Sequence, residues 1–108
     1  MTAVAQKVAV AMNLQESPRV NKIAEAAQLD ILVIIGIITS LIKMWKDCGL
    51  SEKAIQKRLK KPSIIWKSTL RRKIREAVPK EKVEQTFRAF LDNSIDIEVE
   101  EVGGLLAL

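Results

Sequence analysis

The 108-residue chain has no histidine, no tyrosine, one cysteine and only four aromatic residues, two Trp and two Phe. Without histidine, the commonest general base and metal ligand near neutral pH is missing. A single cysteine, Cys48, excludes an internal disulfide and a thiolate zinc site. With no imidazole beside it, Cys48 also lacks a partner for nucleophilic catalysis, and a small buried hydrophobe is the expectation for it. The four glycines form no phosphate-cradling loop: Gly36 stands alone, and Gly103-Gly104 has no helix after it. The acids Asp96, Glu98, Glu100 and Glu101 alternate along the chain and read as a charged outer face rather than a cation site. The expectation is therefore a non-enzyme, with no cofactor and no metal. The mild Ala/Val run around Lys7 is too short and too weakly apolar to read as a signal peptide.

What the chain does have is aliphatic residues and sharply segregated charge. The length suits one domain, and the scarcity of aromatics leaves Ile, Leu, Val and Ala to build its core. The net charge of +5 divides unevenly. Residues 1–51 hold five Lys/Arg and four Asp/Glu, a net +1; residues 52–82 hold twelve and three, a net +9; residues 83–108 hold one and six, a net −5. Such blocks point to an anionic partner for the middle third, or to neutralisation by the acidic third of the same or a neighbouring chain.

Ser17-Pro18 has the chemistry of a helix start: the hydroxyl accepts from the first free N–H groups, and proline suits the first helical position. Gly49 suits a helix end in the left-handed conformation. A single helix of about 45 Å between them is one reading; a break capped by Asp30 is the other. Val20, Ile23, Ala24, Ala27 and Ile31 form an apolar stripe at helical spacing. Ser51 can cap a helix over 52–60 that Pro62 ends. Ser63 can start another that Pro79 ends, with Trp66, Leu70, Ile74 and Ala77 as its apolar stripe. Pro79 opens a helix over 80–91 with Val83, Phe87, Phe90 and Leu91 inward. The period then changes to two, with Ile95, Ile97 and Val99 alternating with acids, which predicts a strand that pairs with another chain. The fold class expected is mainly α: a long apolar helix, then short amphipathic helices and one short C-terminal strand. The expected division is 1–49 for the apolar helix, 50–79 for the basic helical pair and 80–108 for the last helix, strand and apolar tail.

The stretch from Ile31 to Ile42 is twelve residues without a charge, short of the roughly 20 that a membrane span needs. Lys43 and Lys46 can snorkel, and Trp45 beside them suits a membrane interface. Gly36 and Ser40, four apart, allow close helix approach. Ile31, Leu32, Val33, Ile34, Ile35, Gly36, Ile37, Ile38, Ser40, Leu41, Ile42 and Trp45 are thus the expected membrane or oligomer contact, hidden by something outside their own chain.

In the basic third, Lys57, Arg58, Lys60, Lys61, Lys67, Arg71, Arg72, Lys73 and Arg75 are the expected anion-binding residues. They would bind a nucleic-acid backbone or an anionic lipid surface by charge, with no base-reading set among them. Leu50, Ile55, Leu59, Trp66 and Leu70 stand where a helix-turn-helix places its packing residues, so residues 49–77 resemble that motif of DNA-binding regulators. Ser63–Ile74 would be its recognition helix. Gln56 stands where a small residue is usual, Lys60 replaces the turn glycine, and Pro62 lies in the turn.

Taken together, these features predict a non-enzymatic assembly protein, membrane-associated, with other protein chains, membrane lipid or nucleic-acid backbone as partners. In general architecture it is similar to minor virion proteins of membrane-containing bacteriophages, which implies a place within a virion. The alternatives are a soluble DNA-binding regulator and a soluble oligomeric adaptor, both cytoplasmic.

Overall fold

Ser17 caps the first helix as its position predicts: its Oγ accepts from the Val20 N–H at 3.4 Å, and Pro18 occupies the first helical position. A computed structural model of the chain describes residues 17–60, 64–93 and 103, with the main chain alone at 64–66. Among the described residues the fold is mainly α, with no strand. Its helices are α1 (Pro18–Ala27), α2 (Ile31–Asp47), α3 (Glu52–Lys60), α4 (Ile64–Ala77) and α5 (Val83–Asp92), with a 3-10 turn at Lys80–Lys82 leading into α5. The expected strand residues Ile95, Ile97 and Val99 lie outside the described residues.

The single long helix is corrected: the chain bends by 113° between α1 and α2. Gln28 takes the left-handed conformation at φ 55°, and the Leu29 and Gln28 N–H groups close back on the Ala24 and Glu25 carbonyls. That is the Schellman ending, with glutamine where glycine is usual. Asp30 then starts α2 by accepting from the Leu32 N–H at 2.8 Å. The carbonyls left open at the end of α1 receive donors from the far end of the chain. Gln85 Nε2 donates to Ala26 O at 2.9 Å, and Lys82 Nζ lies 3.5 Å from Ala27 O and 3.4 Å from Gln28 Oε1. A cation at the negative end of the helix dipole favours this joint. Gly49 ends α2 as predicted, at φ 89°, with Leu50 N–H donating to Trp45 O at 3.1 Å.

The bend lets both apolar stripes enter one core. α2 lies at the centre, against α1, α3 and α4, while α5 closes the far side against α1 and α4. Ile34, Ile35, Ile37, Ile38, Leu41, Ile42 and Trp45 are all buried, each at 7 % exposure or less. At roughly 1.5–3 kcal/mol per buried side chain, these seven contribute on the order of 10–20 kcal/mol of gross burial. The expectation that this stretch needs cover from outside its own chain is therefore corrected: the chain's own helices supply it. Nor is α2 apolar on every face. Leu32, Gly36, Thr39, Ser40, Lys43, Lys46 and Asp47 face outward, and small or charged residues dominate that side.

α5 buries Val83, Phe87 and Phe90, as the pattern predicts, together with Ala89 and Thr86. Thr86 is fully buried, and its hydroxyl is satisfied by donating to Lys82 O at 2.7 Å. Cys48 corrects another expectation: it is exposed, at the end of α2, and not buried.

Candidate phosphate-binding face

α3 and α4 carry the basic third, and their apolar residues fix how each is seated. Ile55 and Leu59 bury α3 against α2. Leu70 and Ile74, with Val78 just beyond the helix end, bury α4 against α2 and α5. Ala77, expected in that stripe, is exposed instead, and the side chain of Trp66 lies outside the described residues. Among the described residues α3 and α4 are each seated on α2, while residues 61–63 and the side chain of Trp66, which the helix-turn-helix resemblance places at the turn and its packing, lie outside them.

Several expected anion-binding side chains have internal partners. Arg71 pairs with Glu84 on α5, and its guanidinium lies 4.2 Å from the centre of the Phe87 ring. Arg58 lies over the Trp45 ring at 5.7 Å, a cation on the buried indole of α2. Arg72 Nη2 reaches Met44 Sδ at 3.7 Å, a weak contact that leaves most of its donors without a partner among the described residues. Lys73, mostly covered itself, stands 3.7 Å from the exposed Glu76 one turn on. Lys57 and Lys60 are exposed on α3, Lys67 is half-buried, and Lys61 lies outside the described residues.

On the outer side of α4, Ser68, Arg72 and Arg75 fall on one face, because four and seven residues are close to one and two helical turns. Ser68, Thr69, Arg72 and Arg75 line an open hollow of about 290 Å³. A second, of about 460 Å³, is lined by Arg75, Lys80, Val83 and Glu84. Arg75 belongs to both, so the hollows adjoin across its side chain. Neither Arg75 nor Lys80 makes an ion pair with another described residue. The first hollow offers two guanidinium groups and two hydroxyls, a set of donors suited to a tetrahedral oxyanion.

Sequence reasoning reached Arg72 and Arg75 but missed Ser68, Thr69, Lys80, Val83 and Glu84. The Ser68–Arg72–Arg75 spacing was the available signal for the first hollow. The second depends on the turn at Val78-Pro79, which brings Lys80 and α5 beside the end of α4, and no periodicity in the sequence encodes that.

Of the residues expected to contact a membrane or oligomer, only Leu32 and Gly36 are exposed, while Ile31, Val33 and Ser40 are half-buried. No single helix among the described residues is long and apolar enough to cross a membrane, and α1 with α2 meets that test only as a bent pair. Comparisons of the chain with protein families, with curated proteins and with solved structures find no match.

Proposed function

We propose that this chain is a non-enzymatic helical binding protein that contacts the phosphate backbone of nucleic acid through the outer face of α4. The observation that carries the reading is the hollow where Arg72 and Arg75 converge with Ser68 and Thr69, with Lys80 in the adjoining hollow. Each phosphate neutralised releases condensed counterions, which gives affinity without sequence preference. Internal cover for α2 favours this reading over membrane association, because it removes the apolar surface that would enter a bilayer. The absence of histidine and the exposed, imidazole-free Cys48 favour a binding role over catalysis.

The test is binding of mixed-sequence DNA, followed by fluorescence anisotropy, as salt is raised. Three cations, Arg72, Arg75 and Lys80, predict a slope of log affinity against log salt of about −2 to −3. A flat dependence would remove the proposal.

A second reading, assembly with other chains as in a virion component, draws on Leu32. At 57 % exposure it is the one large hydrophobic residue exposed among those described, beside the small Gly36–Ser40 face. A single leucine is little surface for an interface, so this reading ranks below the first.

A further inference from the structure

The two hollows differ in chemistry, and the difference points to one kind of ligand. Among the described residues the first is lined by Ser68, Thr69, Arg72 and Arg75, all hydrogen-bond donors, and suits a phosphoryl group. The second has an apolar wall at Val83, the stems of Arg75 and Lys80, and the carboxylate of Glu84. Glu84 offsets part of the charge of Arg75 and Lys80 there, so the second hollow draws a second phosphate less strongly than the first, which has no acid among its described lining. A flat, uncharged group carrying N–H donors suits that mixed lining better. It gains the apolar wall, the carboxylate as acceptor and the planar guanidinium of Arg75 as a stacking partner.

Resting on the phosphate-contact reading above, we infer that the α4 face binds single-stranded nucleic acid. One nucleotide straddles Arg75, with its phosphate in the Ser68/Thr69/Arg72/Arg75 hollow and its base in the Arg75/Lys80/Val83/Glu84 hollow. In a duplex the bases are stacked and paired, so none can enter the second hollow without being unstacked, which makes the single strand the favoured form. An anionic lipid headgroup could fill the first hollow but has no base for the second.

The experiment compares a short oligothymidylate, an abasic strand of equal length, a duplex of equal length and phosphatidylserine vesicles as competitors for the full chain, followed by fluorescence anisotropy. The base-bearing strand should bind about fivefold or more tightly than the abasic one, the effect of one stacked base. Arg75→Gln should lower affinity and erase that ratio. Lys22→Gln, an exposed lysine on α1, should leave the ratio intact. Equal affinity for base-bearing and abasic strands, a duplex that competes as well as the single strand, or vesicles that compete as well as either would overturn the inference. Failure of every strand to bind would instead bring down the phosphate-contact reading beneath it.

Discussion

Gly36→Ala and Ile38→Ala lie two positions apart on α2, and their effects on stability should have opposite signs. A Cβ added at Gly36 meets nothing within 4 Å, and the residue is exposed in mid-helix. Alanine there restricts the unfolded chain and improves helix propensity, a gain of about 0.5–1 kcal/mol. Ile38 is fully buried at the centre of the core. Truncating it leaves a cavity among large neighbours that cannot collapse freely, a loss of about 2–5 kcal/mol. For a chain of this size each kcal/mol moves Tm by about 4 °C, so the two variants should stand well apart in a thermal melt. Urea unfolding followed by far-ultraviolet circular dichroism gives the free energies, provided the denaturant slope stays constant across the set. Should Gly36→Ala prove destabilising, with a midpoint that depends on protein concentration, the outward face of α2 would be packed against another chain and the reasoning would be refuted.

Further substitutions probe the joints. Gln28→Gly should raise stability by about 1 kcal/mol, because glycine carries no Cβ penalty at a left-handed helix end; an unchanged denaturation midpoint would contradict it. Asp30→Ala removes the cap that starts α2 and should lose about 1 kcal/mol; if Asp30→Asn loses as much, the capping oxygen is not what matters. Arg71→Gln should cost about 1 kcal/mol, mostly through its stacking on Phe87, since the Glu84 pair is too exposed to contribute much. Glu84→Gln should then cost clearly less, and equal losses would show that the ring contact contributes nothing. Arg71→Gln should also weaken strand binding less than Arg72→Gln does, and the reverse order would remove the assignment of Arg71 to the fold.

Most helix ends were legible because they depend on local chemistry. Ser17-Pro18, Gly49, Ser51 and Pro79 each act on backbone groups within a turn or so of themselves. Gln28 was not legible, since nothing local marks a glutamine for a left-handed turn; Lys82 and Gln85, more than fifty residues on, help to hold that end of α1. The reading of 31–42 as a surface needing outside cover has a simple cause. Gly36, Thr39 and Ser40 carry no charge, so they passed as apolar, yet they are small or polar enough to face water. A stripe judged by absence of charge looked complete, whereas one judged by size and polarity has a wet side. The site was half legible: charge and spacing gave Arg72 and Arg75, but the hollows depend on how α4 meets α5. Arg58 and Arg71 looked like ligand-binding cations because sequence alone cannot show that Trp45 and Phe87 lie within their reach.

Amide hydrogen exchange on the purified full chain, without lipid or detergent and then with anionic vesicles added, tests most directly whether α2 is covered from within. Exchange reports local opening, so a helix sealed by its own chain resists it with no partner present. The amides of residues 38–45 should be among the slowest to exchange in buffer alone, and vesicles should leave them unchanged. Rapid exchange in buffer that slows only when vesicles or a second chain are supplied would mean that the cover comes from outside, and the account would fail.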